Sequence, residues 1–79
     1  MADFKYEIIN EIGVISEGRS GWKKEFNRIS WSGNEPKYDI RDWSEGHEKM
    51  GKGITLTEDE IRSLYKILDE EIKLLDNNR

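Results

Sequence analysis

The sequence predicts an α+β fold in which a four-stranded antiparallel β-sheet is followed by one C-terminal α-helix (ββββα). Between residues 6 and 56, apolar and polar side chains alternate in short stretches separated by glycines or a proline, as in strands joined by turns. Residues 57–76 instead repeat apolar side chains every three or four positions, which is the period of a helix. The length of 79 residues allows a single domain spanning 1–79.

The alternation defines four strands. The first extends from Tyr6 to Ser16, where Gly13 indicates a bulge. The others extend from about residue 22 to 31, from 37 to 43 and from 53 to 56. The helix begins after Thr57, because Thr57 and Glu60 have the spacing of a capping box.

The apolar stripe of the helix is wider than one small sheet needs to cover it, since Ile67 and Leu74 lie beside its main row. A chain this short draws little stability from its own core and has no cysteine with which to form a disulfide or a thiolate metal site. Both points favour a homodimer, although Ile67 and Leu74 could also be ordinary surface residues. The predicted interface consists of Leu64, Ile67, Leu68, Leu74 and Leu75.

The composition excludes several classes of protein. Asp3 and Lys5 follow Met1 closely and no apolar run reaches 18 residues, so neither a signal peptide nor a membrane span is expected. Charged residues make up 38% of the chain, but three Trp, three Tyr and two Phe argue against disorder. The sequence therefore predicts a soluble, cytoplasmic and nucleoid-associated protein.

The net charge of −4 conceals a basic segment, because residues 19–41 contain six bases and three acids. On the second strand, one row alternates aromatic and basic side chains: Trp22, Lys24, Phe26 and Arg28. The next strand adds Lys37, Arg41 and Trp43 on one face. Rings can stack on unpaired bases while cations follow phosphates, so this pattern predicts a sheet surface for single-stranded nucleic acid. The alternative is that the rings belong to the core and that the cations are edge residues. Trp31 has an odd number, whereas the row is even-numbered, so the sequence does not decide whether Trp31 lies on the binding face or in the core.

Two motifs and the helix that follows them carry a family resemblance. Residues 39–43 (Asp-Ile-Arg-Asp-Trp), residues 51–57 and the acid-capped helix together resemble the positive cofactor four (transcriptional coactivator p15) family, most closely its bacterial YdbC-like branch, over about residues 21–76. The resemblance implies a curved sheet, dimerisation through the helices and single-stranded DNA binding on the sheet face away from them. It also implies a base-stacking role for Trp31 and a basic contact by Arg41. Lys24 and Arg28 lie near the family's other basic positions, and Trp43 comes one position earlier than the family's aromatic residue.

Enzymatic, metal-dependent and cofactor-dependent functions are not expected. His47, the only histidine, lies in a polar segment that predicts an exposed imidazole, and Asp39 and Asp42 point to opposite faces of their strand. The residue spacing contains no recognisable metal-ligand cluster. The leading hypothesis is a homodimeric, largely sequence-independent single-stranded DNA-binding protein in transcription regulation or DNA maintenance. Two alternatives are a protein-interaction adaptor that docks a partner, such as the transcription machinery, and a single-stranded RNA binder.

Overall fold

The computed structural model describes residues 5–78, so the expectation about Met1 and Asp3 lies outside the described residues. It contains a four-stranded antiparallel sheet followed by one helix, which confirms the predicted ββββα fold. The strands lie in the order β1-β2-β3-β4. The elements are β1 (Tyr6–Glu17), β2 (Lys23–Trp31), β3 (Lys37–Trp43), β4 (Met50–Leu56) and α1 (Glu58–Asn77).

Strand β1 contains three β-bulges, which explain why its sequence alternates irregularly. The bulge indicated by Gly13 is confirmed, since one register shift lies between Glu11 and Gly13. The additional residues in the three bulges are exposed isoleucines at regular intervals, Ile9, Ile12 and Ile15. Each bulge increases the local bend and twist of a strand, so β1 can follow a strongly curved sheet.

The strand register divides the sheet into two faces, because directly opposite residues share a face. The helix face comprises Lys24, Phe26, Arg28, Tyr38, Ile40, Asp42, Ile54 and Leu56. The opposite face, called the concave face below, includes Tyr6, Ile8, Glu11, Lys23, Glu25, Asn27, Ile29, Trp31, Lys37, Asp39, Arg41, Trp43 and Thr55.

Helix α1 packs on β3 and β4 and lies on the helix face, with its first turns beside Tyr38 and Leu56. The predicted capping box is present: the Glu60 N–H donates to Thr57 Oγ1 at 3.2 Å, and the Thr57 N–H donates to Glu60 Oε1 at 2.8 Å. None of the helix residues that the structure describes is buried. Within residues 5–78, no helix combines the length and apolarity that crossing a membrane requires.

The curvature of the sheet is visible in the contacts of Tyr6. Tyr6 pairs with Trp31 at the end of β2, whereas Trp43 pairs with Lys23 at the start of β2, about 26 Å away along an extended strand. The Tyr6 ring nevertheless lies 5.7 Å from the Trp31 ring and 5.5 Å from the Trp43 ring. The sheet therefore closes over its concave face, which contains all the residues identified as buried: Glu25, Asn27, Ile29, Asp39 and Trp43.

Candidate nucleic-acid interface

The eight residues predicted to bind nucleic acid are divided between the two faces of the sheet. Lys24, Phe26 and Arg28 lie on the helix face, with Trp22 just before β2, whereas Trp31, Lys37, Arg41 and Trp43 lie on the concave face. The prediction that they form one surface is therefore wrong. Register is the reason, since Trp43 and Arg41 of β3 are paired with the odd-numbered residues of β2, whereas the predicted row is even-numbered.

The row on the helix face is engaged in contacts within the protein. The Phe26 ring stacks on the Tyr38 ring, with centroids 5.6 Å apart and an interplanar angle of 7°. Arg28 lines a cleft with Tyr38 and Glu58, at the start of α1. Lys24 remains exposed. The Phe26 ring therefore faces the helix side of the molecule, where it stacks on another ring of the protein itself.

Three aromatic rings form a cluster on the concave face: Tyr6, Trp31 and Trp43. Trp43 is only 1% exposed, because Tyr6 covers it and the His47 ring meets it edge-on at 5.1 Å. The expectation that Trp43 offers a ring face to a base does not agree with this burial. Trp31 is half-buried, so part of its indole remains accessible on the concave face.

Arg41 is held in place by a buried carboxylate and lies against Trp31. Its Nε and Nη2 atoms donate to the two oxygens of Asp39 at 2.6 and 2.8 Å, and the Thr55 hydroxyl donates to the same carboxylate at 3.2 Å. The guanidinium carbon lies 4.6 Å from the centroid of the Trp31 ring. Such a bidentate pair orients the guanidinium, and the cation–π contact in turn fixes the indole. Arg41 can therefore orient the Trp31 indole, in addition to providing a positive charge.

A glycine on the adjacent strand makes room for this arrangement. Gly53 pairs with Arg41, and a Cβ atom at Gly53 would overlap the Arg41 side chain and the Ile40 carbonyl oxygen. Only glycine lacks the atom that causes this overlap, so β4 can approach β3 closely beneath Arg41. The close packing of β4 against Arg41 therefore requires glycine at position 53.

His47 is not the exposed imidazole that the sequence predicted. Its Nε2 atom forms a hydrogen bond with Glu25 Oε1 at 2.8 Å, and the side chain is half-buried against Trp43. Burial by itself would raise the pKa of Glu25. The hydrogen bonds from Asn27 and His47, together with the charges of His47 and Lys23, outweigh that effect, so the pKa of Glu25 lies below the usual value of a glutamate.

Several residues of the concave face were not identified from the sequence. Asp39 and Arg41 are two positions apart in one strand, so period two alone could have indicated that they share a face. Tyr6, Glu25 and His47 come from three distant parts of the chain, and no local pattern predicts that they meet. Two further cations of this face, Lys23 and Lys37, are exposed.

Comparison with known proteins identifies relatives of this chain. The family model described as Transcriptional Coactivator p15 (PC4) matches residues 19–67, which include β2, β3, β4 and the first half of α1. A protein of Treponema pallidum (strain Nichols), described as "Uncharacterized protein", is 48% identical over 67 residues; the match covers 85% of this chain and 79% of that relative.

Proposed function

This chain belongs to the Transcriptional Coactivator p15 (PC4) family, and from that premise we propose that it binds single-stranded DNA on its concave face. Membership supports a single-stranded DNA-binding or coactivator-type role at the level of the family, whose proteins bind nucleic acid without enzymatic activity. A role in transcription regulation or DNA maintenance, without catalysis, is the function we propose for this chain.

The contact between Arg41 and Trp31 is the observation that carries this proposal. It places an oriented, partly accessible indole on the face that the helix does not cover. The register puts Lys37, an exposed residue of the neighbouring strand, on the same face. A flat ring can stack on any base, and lysines can neutralise phosphates without reading sequence. The expected binding is therefore largely independent of sequence and sensitive to salt.

Titration of a labelled oligonucleotide tests the proposal. We expect fluorescence anisotropy with a strand of about 20 nucleotides to show tighter binding than with the matching duplex, and a loss of affinity as salt increases. The same titration is repeated with an RNA strand of the same sequence. Tighter binding of the RNA strand than of the DNA strand would identify an RNA-binding protein. Equal affinity for strand and duplex, or no dependence on salt, would contradict the proposal and favour a protein-interaction adaptor.

We further propose that the chain is a homodimer through α1. In the single chain the later turns of the helix have no cover: Ile67 is 62% exposed and Leu74 is 57% exposed, and Leu68 and Leu75 are also exposed. Ile54 of β4, which lines a shallow depression with Leu64 and Ile67, is 55% exposed as well. A second copy of the same apolar surface would cover both elements.

Replacement of Leu68 by glutamate is expected to convert the dimer to monomers, because a carboxylate would be buried without a partner at the interface. Sedimentation equilibrium should report twice the 9.3 kDa of one chain for the wild type and a single chain for the variant. Lys66→Glu is the matched control, since Lys66 lies on the opposite side of the helix. A wild-type protein that sediments as one chain at micromolar concentration would refute the dimer.

A further inference from the structure

We propose that Glu11, Glu25 and His47 form a binding site for a divalent transition-metal ion, with Zn²⁺ as the best match. One nitrogen and two carboxylate oxygens of these residues lie within 4.8 Å of one another. This cluster is separate from the stacked pair of Trp31 and Arg41, although it lies on the same concave face.

The fold brings the three residues together from three elements. Glu11 of β1 pairs with Asn27 of β2, so its side chain shares a face with both Asn27 and Glu25. The bulge that follows Glu11 bends β1 at this point. His47 comes from the turn between β3 and β4, in a left-handed backbone conformation with φ of 59°. No spacing in the sequence indicates this cluster, because its three residues come from distant parts of the chain.

The distances suit a four-coordinate ion. Ligand bonds of 2.0–2.2 Å in tetrahedral geometry place ligand atoms about 3.4 Å apart. His47 Nε2 and Glu25 Oε1 are 2.8 Å apart, and the carboxylate of Glu11, on an exposed side chain, has room to rotate. Small adjustments of the two glutamates would therefore complete three of the four positions.

A second observation, in Asn27, points to a ligand at this place. Asn27 is 1% exposed and lines the same cavity of about 340 Å³ as Glu11, Glu25 and His47. Its Nδ2 donates to Glu25 Oε1 at 3.0 Å, but its Oδ1 has no hydrogen-bond partner among the residues that the structure describes. A buried acceptor of this kind normally has a donor. A water molecule on the ion can supply it, because three protein ligands leave the fourth position open.

The donor set favours zinc over the hard cations. Imidazole nitrogen together with carboxylate oxygen is suited to Zn²⁺ and its first-row neighbours, whereas Mg²⁺ and Ca²⁺ prefer oxygen ligands alone. The neighbours already orient the ligands: Asn27 holds Glu25, and the buried Trp43 ring meets the His47 ring at 89°. A bound ion would connect β1, β2 and the turn after β3, and would neutralise two carboxylates on the proposed DNA-binding side.

Calorimetric titration of the metal-free full chain with zinc chloride tests this site. We expect one ion per chain, at least tenfold weaker binding in Glu11→Gln and in His47→Gln, and much weaker binding of Mg²⁺ by the wild type. Glu48→Gln is the matched control, because Glu48 is an exposed acid beside His47 that does not belong to the cluster.

Cobalt(II) provides a readout that depends on the ligands themselves. The wild type should give visible d–d absorption bands that are reduced in Glu11→Gln and retained in Glu48→Gln. Glu11 is exposed and leaves the bond between Glu25 and His47 intact, so Glu11→Gln should fold normally, which circular dichroism checks. Absence of stoichiometric zinc binding, or equal binding by Glu11→Gln and Glu48→Gln, would overturn the proposal.

Discussion

Replacement of Trp31 by alanine is expected to weaken binding of a single-stranded oligonucleotide by about 5- to 150-fold, which corresponds to the roughly 1–3 kcal/mol of one base–aromatic stack. The indole is held by Arg41 at 4.6 Å, so in the wild type the ring requires little ordering when a base stacks on it. Fluorescence anisotropy at constant salt measures the loss, and thermal unfolding of the same sample shows how much of the fold remains.

Two other substitutions separate stacking from general packing. Trp31→Tyr keeps a flat ring at the same position and should restore much of the affinity. Trp22→Ala removes a half-buried ring of the row assigned to the helix face and should leave binding nearly unchanged. If Trp22→Ala weakened binding more than Trp31→Ala did, the binding surface would lie on the helix face instead.

Replacement of Asp39 by asparagine is expected to lower the free energy of unfolding by about 3–5 kcal/mol, the usual effect of removing one partner of a buried ion pair. The Asp39 side chain is fully buried, and it accepts two hydrogen bonds from Arg41 and one from Thr55. An amide cannot compensate the guanidinium, which would remain largely buried with its charge unpaired. Urea denaturation followed by tryptophan fluorescence measures the change.

The control for this experiment is Asp42→Asn. Asp42 is an aspartate of the same strand that lies on the helix face and is only half-buried, so we expect a change within about 0.5 kcal/mol. The double variant Asp39→Asn, Arg41→Met removes both charges and should regain part of the lost stability. Equal effects of Asp39→Asn and Asp42→Asn would show that the pair between Asp39 and Arg41 contributes little.

The sequence was least informative about the interior. Glu25 and Asn27 are polar, and their hydrophobicity gives no sign of a core face, yet they are among the most buried residues that the structure describes. Polar side chains can be buried when they are hydrogen-bonded. Asn27 Nδ2 donates to Glu25, and Glu25 is hydrogen-bonded to His47, so these two bonds meet most of this requirement and leave Asn27 Oδ1 for the proposed ligand. The second bond joins residues 22 positions apart, so hydrophobicity along one strand could not reveal it.

Local interactions explain what the sequence by itself determined about this protein: four strands, a helix that begins after Thr57, a bulge next to Gly13, and opposite orientations of Asp39 and Asp42. Each depends on residues within a few positions of one another. Only the tertiary structure decided which face of β2 meets which face of β3, and therefore that Trp31 and Arg41 lie opposite the predicted row. The physical reason is that a shift of one residue in register exchanges the two faces of a strand, and the register depends on turn geometry and on which face becomes buried in the folded protein.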